Sequence, residues 1–364
     1  MKKAFDRVFV RYVGQHFFIR FAGFLAFFVI VLQMLDLLNR SENILAPEGA
    51  GFASVVEYVR LRAPAIASQF APFAALLAVV VTLSVLSHTN EVTIMRAAGM
   101  SIHRVLFPIG VVCAFIAGGH FVFHELVVVG AAEKLAYWEA NDYAIDVDPD
   151  DGGRAGLRLA HENQFIHAGS ARRKPDGVHL NDVTINTLSP EGLVTGHVAA
   201  AHARFQNGAW RLFDLRTFGS GDLAVKRAAS ATWSTSLNPE TLFALTLNPD
   251  RTPMPELIGK IAQLRADGAN AGAATTSFLS RFSKPCATLV MPLLGAIAGF
   301  GIRRQQNQLE RAVAGAALGF SYFVLENMML ALGKLGVAPA MLGAFFPFAI
   351  FMVIGFAIVL AMEN

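Results

Sequence analysis

Apolar and polar positions in this chain separate into whole segments. Six blocks of roughly 18–25 mostly apolar residues stand out, each long enough to cross a hydrocarbon core of about 30 Å as a helix. They lie near residues 21–38, 63–87, 105–123, 285–302, 312–332 and 339–362. Between the third and fourth, residues 125–282 are polar and nearly neutral. They hold short runs of rough period-two alternation at 164–168, 179–188, 194–205, 209–218 and 229–234, the spacing of half-buried strands. Asn207-Gly208 lies between two of these runs. That pair tolerates the positive φ of a type I′ turn and predicts a hairpin with Trp210, Leu212 and Phe213 on its second arm. Several short strands with regular turns predict a β-sandwich or jelly roll. Residues 131–143 read as a helix extending the third span. Residues 255–266 read as a helix with Pro255 at its start, and 273–282 lead into the fourth span.

The predicted fold class is therefore membrane α-helical, six transmembrane helices arranged three plus three, with an inserted β-jellyroll-like domain. Residues 1–130 hold helices 1–3, 131–282 the β domain with flanking helices, and 283–364 helices 4–6. Composition supports this reading. Hydrophobic residues make up 54% and charged residues only 16%, against about 25% charged in an average soluble domain, and the mean hydropathy is +0.47. A soluble protein, a disordered chain, a disulfide scaffold and a collagen-like fibre are excluded. Cys113 and Cys286 fall inside apolar blocks and imply neither a disulfide framework nor a zinc site. No cleavable signal peptide is evident, because the apolar block after residues 1–20 is too long and lacks a small-residue cleavage site.

The net charge of +3 says less than where the positive charges lie. Lys and Arg in short segments orient a membrane protein. With the N-terminus inside, the inner segments carry Lys2, Lys3, Arg7, Arg11, Arg20, Arg96, Arg104, Arg303, Arg304 and Arg311. The short outer loops carry only Arg40, Arg60, Arg62 and Lys334. Both termini are then cytoplasmic and the long insert is outside, which in a bacterial cell is the periplasm.

The chain has no G-x-x-x-x-G-K-[ST]; Gly259-Lys260 and Gly333-Lys334 are followed by Ile261 and Leu335. It lacks a Walker-type phosphate cradle, so ATP hydrolysis is not expected of it. H-E-x-x-H and G-x-S-x-G are missing too, and no cofactor, metal site or nucleic-acid partner is expected. His120 and His124 are spaced i, i+4 beside Glu125, but no third ligand is placed by sequence, and an interfacial polar cluster is the default.

Most informative is the loop between the second and third spans, residues 87–101. It reads as a short helix with Thr89 or Asn90 as cap, Glu91 at its dipole-favoured start and Gly99 at its end. Val92 and Met95 share one face. Such a helix on the cytoplasmic side is either a plain connector or a docking element for a separate motor protein. The segment Glu91-Val92-Thr93-Ile94-Met95-Arg96-Ala97-Ala98-Gly99-Met100-Ser101 resembles the coupling helix of the LptF/LptG lipopolysaccharide-export permeases. The resemblance continues in Arg11-Tyr12-Val13, Asn207-Gly208-Ala209-Trp210-Arg211-Leu212, Ala231-Thr232-Trp233 and Leu325-Glu326-Asn327. It covers essentially the whole chain. The Trp-Arg-Leu and Thr-Trp segments and the short C-terminal tail point to the LptG branch.

The resemblance implies a permease subunit of an ABC transporter in the inner membrane. Its partners would be the paralogue LptF, a cytoplasmic LptB ATPase dimer and the periplasmic LptC and LptA bridge. Its cargo would be lipopolysaccharide, taken from the inner membrane toward the outer one. Glu91, Val92, Met95 and Arg96 would couple to the ATPase. A cavity for a phosphorylated glycolipid needs cations near its outer surface, and Arg40, Arg60, Arg62 and Lys134 are the candidates. Arg40 resembles a family lysine at the end of the first span, whereas Gln33 stands where another lysine is expected. Each cation has ordinary interfacial anchoring as its alternative. Glu326, beside Asn327, is the deepest clear acid, and a carboxylate within a span must be paired, protonated or hydrated. It either pairs with a cavity cation and helps set a gate or makes a structural hydrogen bond. The competing classes are an ion-coupled transporter of another lipid or amphiphile, a membrane enzyme of lipid or glycan metabolism, and a lipoprotein-release permease. The last places its large outer domain after the first span, unlike this chain.

Overall fold

The computed structural model describes residues 2–363 apart from 146, 148–152, 162, 175–176, 190–192, 207, 220–221, 240–241, 243–247, 267–269 and 301–307. The described chain opens with helices α1 (Lys2–Leu45), α2 (Phe52–His88), α3 (Glu91–Ala97) and α4 (Ile102–Phe123). A π-helical turn, His124–Val128, leads into α5 (Val129–Glu139). Six strands follow: β1 (Arg154–His161), β2 (Gln164–Lys174), β3 (Gly177–Leu188), β4 (Val194–Gln206), β5 (Ala209–Gly219) and β6 (Asp222–Trp233). The chain closes with α6 (Met254–Ala266), α7 (Gly272–Phe300), α8 (Gln308–Lys334) and α9 (Ala340–Glu363).

Five helical stretches among the described residues are long and apolar enough to cross a membrane: Phe9–Leu45, Phe52–His88, Ile102–Glu139, Ala312–Lys334 and Ala340–Met362. The fourth expected span falls in α7, which carries Arg281 and Lys284 as well as its apolar half. The end expected for that span, near residue 302, and Arg303 and Arg304 lie outside the described residues. Prolines inside α2, α4, α7 and α9 do not end these helices, because neighbouring helices in an apolar setting re-satisfy the freed backbone groups.

By internal contacts the chain forms two units. One comprises Met1–Leu35, Ala63–Val128 and Met254–Asn364; the other comprises Asp36–Arg62 and Val129–Pro253. The core of the first joins Val13 and Phe17 of α1, Ala74 to Leu83 of α2, Val105 and Ile109 of α4, Val290 and Leu294 of α7, Tyr322 of α8 and Phe351 of α9. Of the most apolar window of α2, 56% is buried, against 11% for α1. Helix α2 is therefore packed into the unit far more than α1, which keeps most of its apolar surface for lipid or another chain.

The second unit contains one antiparallel sheet in the order β1-β2-β3-β4-β5-β6, an all-β domain inserted between helices as expected. Four expected runs fall inside β2, β3, β4 and β5, the fifth overlaps the end of β6, and β1 is additional. Gly208, in the expected Asn-Gly turn, has φ +80° between the paired Gln206 and Ala209; Asn207 lies outside the described residues. Trp210 and Trp233 seal the core: the Trp210 indole N–H donates to Leu237 O at 2.7 Å and that of Trp233 to Gln164 Oε1 at 2.9 Å.

At one level across the sheet the ladder pairing skips a residue in every strand: Gly156, Gly169, Asp182, Ala201, Asp214 and Ala229. On alternate strands, Gly156, Asp182 and Asp214 take φ +65°, +56° and +53°, a left-handed conformation that Gly and Asp tolerate best. The buried positions on either side, such as Leu180 and Val183, Ala200 and Ala203, or Leu212 and Leu215, are three apart instead of two. One extra residue in every strand thus keeps the same face inward.

Candidate functional site

The expected coupling segment forms a single short helix, α3, between α2 and α4. Asn90 stands at its N-cap with φ 61° and makes no side-chain cap bond. The Thr89 hydroxyl instead donates to the Glu91 carboxylate at 2.8 Å. The side-chain capping expected of Thr89 or Asn90 is therefore corrected: the left-handed Asn90 aims the chain, and Thr89 fixes the first acid. Gly99, at φ +79°, ends the helix as expected. Val92 is buried in the core of the first unit and Met95 packs against it. These two anchor the helix. Thr93, Ile94, Arg96 and Ala97 face outward, with Glu91 half-buried. Ile94, 66% exposed, was missed by sequence reasoning. Its signal is the helical periodicity, since an apolar residue two positions after Val92 falls on the opposite face.

In the second unit, the C-terminal end of α1 and the N-terminal end of α2 meet α5 around Ile44, Tyr58, Leu61, Leu135, Trp138 and Tyr143. The candidate cations surround this cluster, and three of them face carboxylates. Arg40 donates to Glu139 Oε1 at 2.7 Å and to the Tyr143 hydroxyl at 3.2 Å. Arg62 donates to Asp36 Oδ2 at 3.1 Å, and the Tyr58 hydroxyl donates to the same oxygen at 2.5 Å. Arg60 grips Glu57 with two bonds, at 2.6 and 2.9 Å, one turn away on its own helix. Tyr58 and Tyr143 meet edge to face, linking the Arg40 and Arg62 pairs into one constellation. Arg60 stays outside it, and Lys134 sits half-buried on α5. Burial raises the Tyr143 phenol above its ordinary pKa, so it remains a neutral donor and acceptor. The side chains of Arg40, Arg60 and Arg62 are 42%, 54% and 37% exposed. Arg40 and Arg62 present a guanidinium fork that can also meet an anion, while a carboxylate offsets the charge of each.

The first unit holds a cavity of about 280 Å³ whose polar lining includes Ser68, Gln69, His124, Lys284, Glu326 and Asn327. Glu326 is buried, 3.5 Å from the Tyr322 hydroxyl, and Lys284 acts on it electrostatically. Asn327 is exposed and donates to Phe323 O at 2.8 Å within its own helix. The sequence neighbours Glu326 and Asn327 therefore play different parts. Ser68 sits between His120 Nε2 at 2.8 Å and His124 Nδ1 at 3.2 Å, so the two histidines share a serine. Glu125 accepts from Arg281 Nη1 at 2.6 Å. Ser68, Lys284 and Arg281 were not singled out from sequence; Ser68 is a polar residue inside the second apolar block, and Arg281 and Lys284 fall just before the fourth.

A family model described as "Lipopolysaccharide export system permease LptF/LptG" matches residues 11–361. The lipopolysaccharide export system permease protein LptG of Haemophilus influenzae is 26% identical over 307 residues, covering 82% of this chain and 83% of its own. The protein of the same name from Escherichia coli strain K12 is 24% identical over 365 residues, covering 94% of this chain and 95% of its own.

Proposed function

This chain belongs to the LptF/LptG family of lipopolysaccharide export system permeases, and we propose on that footing that it is the LptG-type half of the permease. It works with an LptF-type paralogue and takes lipopolysaccharide from the inner membrane toward LptC, LptA and the outer membrane. ATP is hydrolysed by a separate cytoplasmic LptB-type dimer. Both termini and α3 face the cytoplasm and the sheet faces the periplasm, the orientation favoured by the Lys and Arg distribution.

The observation that carries this reading is the two-sidedness of α3. Val92 and Met95 tie it to the helical core, while Glu91, Ile94 and Arg96 remain on the surface. A helix held on one side and open on the other transmits a push into the helices it joins. Coupling therefore assigns Val92 and Met95 to the permease side of the joint, and Glu91, Ile94 and Arg96 to the ATPase side. On the outer side, Arg40 and Arg62 exchange a carboxylate for a lipid phosphate, which makes capture reversible. Arg60 and Lys134 add peripheral charge. Glu326 and Asn327 belong to the intramembrane polar lining, where Glu326 opposite Lys284 holds α8 in register with α7.

The test is purification from native membranes in mild detergent. Recovery of an ATPase subunit and a second six-span paralogue, with ATP-dependent release of lipopolysaccharide from reconstituted vesicles, is the expected result. A chain that purifies without an ATPase, or moves its lipid without ATP, overturns the reading.

A further inference from the structure

We propose that the kinked row of the sheet is a binding site for a phosphorylated saccharide. An open groove of about 660 Å³ runs along this row, with Asp182, Asp214, Arg216 and Arg227 among its lining and Ala199 and Ala201 on its floor. The volume lies within the range of small-molecule sites, about 300–1,000 Å³. All four charged side chains are exposed, and none makes an ion pair among the described residues.

Arg216 and Arg227 stand directly opposite each other in the β5–β6 ladder. Like charges so placed repel, and an anion bridging the two guanidinium forks removes the repulsion. One row away, Asp182 and Asp214 occupy the left-handed positions of β3 and β5. Only β4 lies between them, so they are about 10 Å apart, and Ala201 of β4 faces the gap with no bulk of its own. Two carboxylates across a flat small-residue floor accept hydrogen bonds from hydroxyl donors.

The combination narrows the ligand. An acyl chain would leave four charges desolvated and unpaired. A bare polyanion would meet Asp182 and Asp214, and a polycation would meet Arg216 and Arg227. A hydroxyl-rich ring carrying a phosphate satisfies both rows at once. This inference rests on the export reading for the source of its ligand: the head of a phosphorylated glycolipid is such a molecule, and the groove would hold the head while the tails are held elsewhere.

The experiment is calorimetric titration of the full chain in detergent with fully deacylated, phosphorylated lipopolysaccharide oligosaccharide. Parallel arms use the same oligosaccharide after dephosphorylation and inorganic phosphate alone. The wild type is expected to bind the phosphorylated oligosaccharide. R216Q/R227Q should lose about tenfold or more in affinity, the scale of a lost charge-assisted bond, and D182N/D214N several-fold. Dephosphorylation should reproduce the arginine loss. Arg211→Gln, also exposed on β5 but outside the groove, should bind like the wild type. Unchanged tryptophan fluorescence, to which Trp138, Trp210 and Trp233 contribute, checks the fold of each variant. No binding by wild type, equal affinity in R216Q/R227Q, or inorganic phosphate binding as tightly as the oligosaccharide would overturn the proposal. Oligosaccharide binding by a chain that recovers no ATPase would sink the export reading and leave the groove standing; the reverse result would do the opposite.

Discussion

Arg281 and Glu125 meet at 2.6 Å although 156 positions separate them, and the Arg281 side chain is only 2% exposed. Glu125 lies in the π-helical turn His124–Val128 and also accepts from the Met254 backbone N–H at 3.3 Å. The chain leaves its first unit after Val128 and returns at Met254. One carboxylate therefore ties the departing segment, the returning segment and α7 together.

Replacing Arg281 with Met should be costly, because it strands a largely buried carboxylate. The loss expected for breaking such a pair is about 3–5 kcal/mol, read as a lower Tm in detergent. Adding Glu125→Gln to Arg281→Met should restore part of it, since a neutral amide needs no counter-charge. A single variant as stable as wild type would show that the pair holds nothing.

The two faces of α3 should respond differently to the same chemical change. Val92→Asp places a carboxylate in the core, where an unpaired charge costs several kcal/mol, and should lower Tm and yield. Ile94→Asp, on the exposed face, should change stability by less than about 0.5 kcal/mol while reducing ATPase co-purification severalfold. Equal ATPase recovery from Ile94→Asp and wild type would remove Ile94 from the joint.

The six apolar blocks were legible because an apolar solvent demands long uninterrupted runs, and each run lies in a helix of the structure apart from the end of the fourth and Pro339 at the start of the sixth. Strand positions were legible where alternation holds, but β1 was not. In Arg154–His161, polar and small residues dilute the pattern, and Gly156 breaks its parity. The rough alternation of the other strands has the same cause, because the kinked row shifts the buried positions by one residue in mid-strand. At the candidate sites, the sequence identified charges and left their partners open. Arg40 and Arg62 read as phosphate contacts or interfacial anchors, because Glu139 and Asp36 meet them only once separate helices assemble, whereas Glu57 lies three positions from Arg60 on the same helix. Val92 and Met95 were correctly assigned to one face, but sequence alone does not say whether that face meets the chain's own core or another protein.

The pairing of Arg40 leads to a counterintuitive expectation. Glu139→Gln frees the guanidinium from its ion pair and leaves Tyr143 as a neutral partner at 3.2 Å. Both members of the pair are substantially exposed, so the stability cost should stay within about 1 kcal/mol. If Arg40 meets a lipid phosphate, the variant should retain more co-purified lipopolysaccharide per chain than wild type, and Arg40→Gln less. Equal retention in all three would return Arg40 to an anchoring role.

Helix α7 approaches α2 closely enough that Gly295 has no room for a side chain. A Cβ there would lie 2.5 Å from Val79 Cγ1 and 3.0 Å from Val79 Cβ. Val79 is fully buried and β-branched, so its χ1 is stiff and cannot swing aside. Gly295→Ala should therefore destabilise the chain by about 1–3 kcal/mol, the usual cost of overpacking, although alanine is the better helix former. Adding Val79→Ala should recover much of that loss. Gly110→Ala is the control: its Cβ would meet nothing within 4 Å, so helix propensity alone should raise stability by up to about 1 kcal/mol. Thermal unfolding of the three variants in one detergent separates the cases. If Gly295→Ala behaved like Gly110→Ala, the close approach of α7 to α2 at Val79 would be wrong.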